Sequence, residues 1–80
     1  MLGMYWELKM DITFKEQISK LIEDEDNFEY FRDIAIKHMT SKPYFVKNML
    51  DELMIFSLKN NLHKISAWTY YYLGWHYMVI

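Results

Sequence analysis

The sequence predicts an α+β domain, helical through its middle and β at its C-terminal end. Three observations carry this reading. Thr40-Ser41-Lys42-Pro43 marks a helix start, the residues after Asn61 turn to β-formers, and a strict apolar–polar alternation precedes the first helical pattern.

Met4, Trp6, Leu8, Met10 and Ile12 alternate with Glu7, Lys9, Asp11 and Thr13. Period two argues for an extended arm with one buried face, placed at residues 1–12. Thr13 followed by Glu16 reads as a capping box. It opens a helix with Phe14, Ile18, Leu21 and Ile22 on one side. The acids Glu23-Asp24-Glu25-Asp26, followed by Asn27, should end that helix, because negative charge opposes the helix dipole there. From Phe28 to His38 the apolar positions rotate away from the first stripe. A break is expected, and the stretch beyond it reads equally as a short strand or a short helix.

A hydroxyl cap and Pro43 then open the best-defined element. Phe45, Val46, Met49, Leu50, Leu53 and Phe56 cover one broad face of a helix ending near Lys59-Asn60-Asn61. Ile65, Trp68, Thr69, Tyr70, Tyr71 and Tyr72 favour strands, so the segment from Leu62 to Leu73 is expected to form a hairpin. Trp68 is expected in the core beneath it, and Gly74 leads into a short terminal segment. Helix, break, proline-started helix and aromatic hairpin is the order of a winged helix-turn-helix domain, here residues 13–80. Fold order alone gives no function.

Eighty residues make one domain. A chain of that length buries only ~60–65% of its unfolded surface, so its free-standing stability is expected to be marginal. With no cysteine, disulfides, Cys-ligated zinc and a thiol nucleophile are excluded, and a reducing compartment fits. Three Trp, seven Tyr and five Phe exceed what so small a core can hide, so some rings should lie outside and anchor partners. No apolar run reaches the ~20 residues of a membrane span, and the N-terminus lacks a signal peptide's basic start. A soluble, unprocessed cytoplasmic protein is expected. Met1 to Ile36 carries nine acids against four basic residues, whereas Lys37 to Ile80 carries five lysines against two acids. The second half could meet polyanion.

Several short matches fall in the order seen in the eukaryotic small-subunit ribosomal protein ten family, whose winged-helix domain also occurs in plectin. Ile18 to Ile22 is similar to that family's opening helix. Arg32-Asp33-Ile34-Ala35-Ile36-Lys37-His38 resembles its basic-Asp-aliphatic segment, without the proline. Lys42 to Asn60 lines up with its central helix without a gap. Ala67-Trp68, Tyr70-Tyr71-Tyr72-Leu73 and Gly74 with Tyr77-Met78 look like its Trp-containing wing, Tyr-rich return strand and terminal helix start. The resemblance covers residues 16–79. The family's basic, glycine-rich tail is missing, and the wing is shorter.

The resemblance implies a structural constituent of the small ribosomal subunit, on the head near the beak. Its partners would be ribosomal RNA and neighbouring ribosomal proteins, with no membrane and no small-molecule substrate. RNA contact needs cations at phosphate distance, and Lys37, His38, Lys42 and Lys47 flank the start of the central helix, with Lys59 and Lys64 beside the wing. Trp6, Tyr70 and Tyr72 are the expected protein contacts; in a strand, Tyr70 and Tyr72 would share a face opposite Tyr71. The alternative is a small winged-helix adaptor or inhibitor that binds one protein partner.

No enzyme, metal or cofactor is expected. Asp51 and Glu52 are adjacent on a helix and diverge, and no nucleophile–base set appears. His63 and His76 lack a second ligand at suitable spacing, and the acidic run lacks the alternating ligands and glycine of a calcium loop.

Overall fold

The computed structural model describes residues 14–79, which form four α-helices and one 3₁₀ turn. Helix α1 covers residues 14–23, the 3₁₀ turn Glu25–Phe28, α2 Glu29–His38, α3 Pro43–Lys59 and α4 His63–Val79. No strand occurs among the described residues. The α+β winged helix-turn-helix expectation is therefore overturned: the segment expected as a wing is one continuous helix. The arm, Trp6 and the Thr13 cap lie outside the described residues.

The helix ends follow from local chemistry. At the acidic run, Asp24 adopts extended backbone and its carboxylate accepts from the Asp26 amide at 2.9 Å. The Asp24 amide and the Asn27 side chain both donate to the Lys20 carbonyl, at 3.1 and 2.8 Å, so this carbonyl in α1's last turn is satisfied twice as the chain turns. Phe28 to His38 resolves as helix. α3 begins at Pro43 as expected, but Lys42 is the N-cap and makes no side-chain cap bond, so Thr40 and Ser41 belong to the turn before it. Asn61 ends α3 in the left-handed region at φ 57. The Leu62 amide donates to Ser57 at 2.8 Å and the Asn61 amide to Leu58 at 3.5 Å, the paired bonds of a Schellman turn. This turn sends α4 back along α3.

The core gathers Leu21 from α1, Phe28 from the turn, Phe31 and Ala35 from α2, Met39 after it, Val46, Met49, Leu50 and Leu53 from α3, and Ile65 from α4. The α3 positions recur at three- and four-residue steps, the spacing of one helix face. Phe14 meets Phe31 edge-on at 5.4 Å, tying α1 to α2. Ile22 does not join the α1 stripe; it is exposed.

Why residues 63–79 are helical rather than paired strands is visible in two features. Ile65, Thr69, Tyr72, Leu73 and His76 recur at helical steps and turn into the fold. From Leu62 to Leu73 there is no Gly, Pro, Asn or Asp, so nothing there supplies the positive-φ turn that a tight hairpin demands. The β preference of Trp, Tyr and Thr reports how they pack on a half-buried surface. Here α3 offers them a helical partner. Where α3 and α4 meet, the Ser57 and Ser66 hydroxyls lie 2.8 Å apart, and Ser57 donates to the Met54 carbonyl at 3.0 Å.

Candidate protein-binding surface

Beyond its first turn α4 is uncharged on every side. From Ile65 to Val79 it carries no Asp, Glu, Lys or Arg, and its one ionisable imidazole, His76, is buried. A surface helix normally keeps a polar face toward water, and a helix apolar all round is normally enclosed. α4 is enclosed on one side only. At 100° per residue, Ala67, Tyr70, Tyr71, Gly74, Tyr77 and Met78 fall on the face away from α3, and all six are exposed. Tyr70 is 74% exposed, Tyr71 70% and Met78 86%.

Beside this face, two open clefts run in series along the seam between α2 and α4. The first, about 640 Å³, is lined by Asp26, Phe28, Glu29, Arg32, Trp68, Tyr71 and Tyr72. The second, about 600 Å³, is lined by Ile36, Tyr71, Tyr72, Gly74, Trp75 and Met78. Their shared residues, Tyr71 and Tyr72, meet edge-on at 5.2 Å. The aromatic wall is held from behind: Phe28 packs on Trp68 at 5.4 Å and on Tyr72 at 6.2 Å, and Tyr72 lies 6.1 Å from Trp75. Arg32 pairs with Glu29 at 3.3 Å and with Asp33 at 3.6 Å, so its charge is already met.

The structure separates the residues expected to bind RNA. Lys37 is exposed at the end of α2 and Lys42 just before α3. His38 is half-buried, its ring edge-on to Phe45 at 6.3 Å. Lys47 donates to Asp51 at 2.7 Å, and that hydrogen bond first, with the carboxylate's charge second, holds its ammonium above the usual lysine value. Lys59 and Lys64 are exposed at the other end of α3, which at 1.5 Å per residue is ~25 Å from Lys42. The cations form two corners rather than one patch.

Of the expected protein contacts, Tyr70 is exposed and Tyr72 half-buried against the core. The strand pairing of Tyr70 with Tyr72 fails for a helical reason: successive residues turn by ~100°, so Tyr70 and Tyr71 face out while Tyr72 turns in. Trp68, expected beneath a wing, stands at the rim of the first cleft and is 36% exposed. Tyr71, Gly74, Trp75, Tyr77 and Met78 were not among the expected sites. Their signal was the absence of charge after Lys64, which strand pairing disguised.

Among the described residues no group of three or more His, Cys, Asp or Glu is placed to hold a metal ion, and no helix is long and apolar enough to cross a membrane. Compared with known protein families, curated proteins and solved structures, the chain matches none.

Proposed function

We infer that the chain is a non-enzymatic protein-binding module, helical across its described residues, an adaptor or inhibitor that docks on one protein partner through the outer face of α4. The supporting observation is that α4 carries no Asp, Glu, Lys or Arg on any side from Ile65 to Val79, while the fold encloses only one side. Hydrophobic surface left in water favours association, at ~25 cal/mol per Å² removed. Tyr and Trp are also residues that anchor interfaces. A membrane surface fits less well, because helices that lie on membranes carry cations along the edges of their apolar face, and α4 carries none from Ile65 onward, its single lysine, Lys64, standing in the first turn. A reducing cytoplasmic setting suits a chain without cysteine.

The reading as a structural constituent of the small ribosomal subunit leaned most on the wing, and residues 63–79 are helical. What still supports it is the four exposed lysines at the two corners of α3.

Sedimentation of a native extract, probed for this chain at low and high salt, tests the proposal. The adaptor reading expects a small complex that resists salt and disappears with Tyr70→Lys plus Tyr77→Lys. Co-sedimentation with the small ribosomal subunit, weakened by salt and by loss of Lys37 and Lys42, would favour the ribosomal reading instead. Co-flotation with lipid vesicles would favour the membrane.

A further inference from the structure

We propose that the seam between α2 and α4 receives an amphipathic helix of a partner protein, with a basic residue at one end and an apolar anchor two turns along. This rests on the protein-binding reading above and specifies its ligand. Gly74, charge and spacing carry it.

Gly74 sits inside α4, where glycine weakens a helix relative to alanine. Its φ is not positive, so no turn requires it. A Cβ added there would meet nothing within 4 Å, so no neighbour in the fold requires it either. The gap opens into the second cleft. A glycine without an internal reason on an apolar groove lets another backbone come close from outside, as tightly packed helix pairs do.

Charge selects the occupant. Asp26 and Glu29 line the first cleft, and the exposed Glu23 and Asp24 of the acidic run lie just before this turn. Arg32 is paired with Glu29 and Asp33, which leaves this end acidic. Trp68, Tyr71 and Tyr72 supply ring faces that also attract a cation. The second cleft, lined by Ile36, Trp75 and Met78, is apolar. Neither the α4 face of a second copy nor the chain's own first residues supplies the complement. α4 offers no cation from Ile65 onward, and residues 1–12 hold Glu7 and Asp11 against the single Lys9.

Trp68 and Trp75 mark the two clefts and stand two turns apart on α4, ~10 Å at 1.5 Å per residue. A helix lying along the seam would match them with residues seven apart. This is recognition of an apolar helix face by a groove, with a polar end fixing direction.

The probes are an eighteen-residue amphipathic Leu/Lys peptide and its Leu/Glu twin, titrated calorimetrically into the full chain. The Leu/Lys helix is expected to bind at least tenfold more tightly. Gly74→Leu should weaken it at least tenfold with circular dichroism unchanged. Asp26→Asn with Glu29→Gln should shrink the preference between the twins and flatten its salt dependence. Equal binding of the twins, no binding of either, or indifference to Gly74→Leu overturns the proposal. A wild-type dimer that Gly74→Leu makes monomeric also overturns it, the occupant then being a second copy. If the peptides fail while the extract complex persists, the groove is wrong and the binding module stands. If the chain also sediments alone, both are wrong.

Discussion

Phe28 lies against Trp68 with ring centroids 5.4 Å apart and planes tilted by 32°, and this contact fastens the 3₁₀ turn to α4. Phe28 is buried, whereas Trp68 keeps 36% of its surface in water at the cleft rim. The two rings should therefore be unequal in stability. Phe28→Ala is expected to cost about 3–5 kcal/mol, the usual cost of emptying a buried Phe site. Trp68→Ala should cost clearly less. Urea unfolding followed by circular dichroism measures both, and equal losses would count against the arrangement.

Gly74→Ala should act in opposite directions on folding and binding. In the free chain it is expected to gain about 1 kcal/mol, since alanine is the better helix former and its methyl has open space. The same methyl narrows the seam. Unfolding curves and partner affinity measured on one variant separate the effects, and a destabilised Gly74→Ala would show that the space is occupied.

Thr69 Oγ1 is buried in α4 without a hydrogen-bond partner. Thr69→Val keeps the branching and nearly the shape while removing that hydroxyl. It should stabilise the chain by about 1 kcal/mol, the lower range for relieving an unsatisfied buried polar group. A loss of stability on thermal unfolding would mean that the hydroxyl has a partner.

Asn61 holds the left-handed position that closes α3. Asn61→Gly should be neutral or stabilising, because glycine reaches that conformation without strain. Asn61→Ala should cost about 1 kcal/mol. Comparing the two by chemical denaturation tests the turn that aims α4, and identical behaviour would argue against it.

α1 and α3 were largely legible because their signals are local and agree, whereas the stretch that forms α2 read equally as strand or helix. The acids after Ile22 and the proline at 43 mark boundaries that the structure keeps, and Val46, Met49, Leu50 and Leu53 face the core as their spacing requires. The last helix was not. Trp68 and three consecutive tyrosines point to strand by preference, and that preference outweighed the helical spacing of Ile65, Thr69, Leu73 and His76. The missing turn residue between Leu62 and Leu73 was the stronger evidence. The same misreading hid the binding face. As a strand end, Gly74 is ordinary; inside a helix it needs a reason. The aromatic excess did foretell exposed rings, and Tyr70 is one of them.

The most direct test of the binding face is photo-crosslinking from inside living cells, with a benzoyl-phenylalanine placed at Tyr70 in one chain and at Glu52 in another. Tyr70 lies on the outer face of α4, and Glu52 is an exposed α3 residue that lines neither cleft. A discrete protein adduct from position 70, with none from position 52, is the predicted result. Adducts containing RNA or lipid, equal adducts from both positions, or none from position 70 would contradict a protein-binding face on α4.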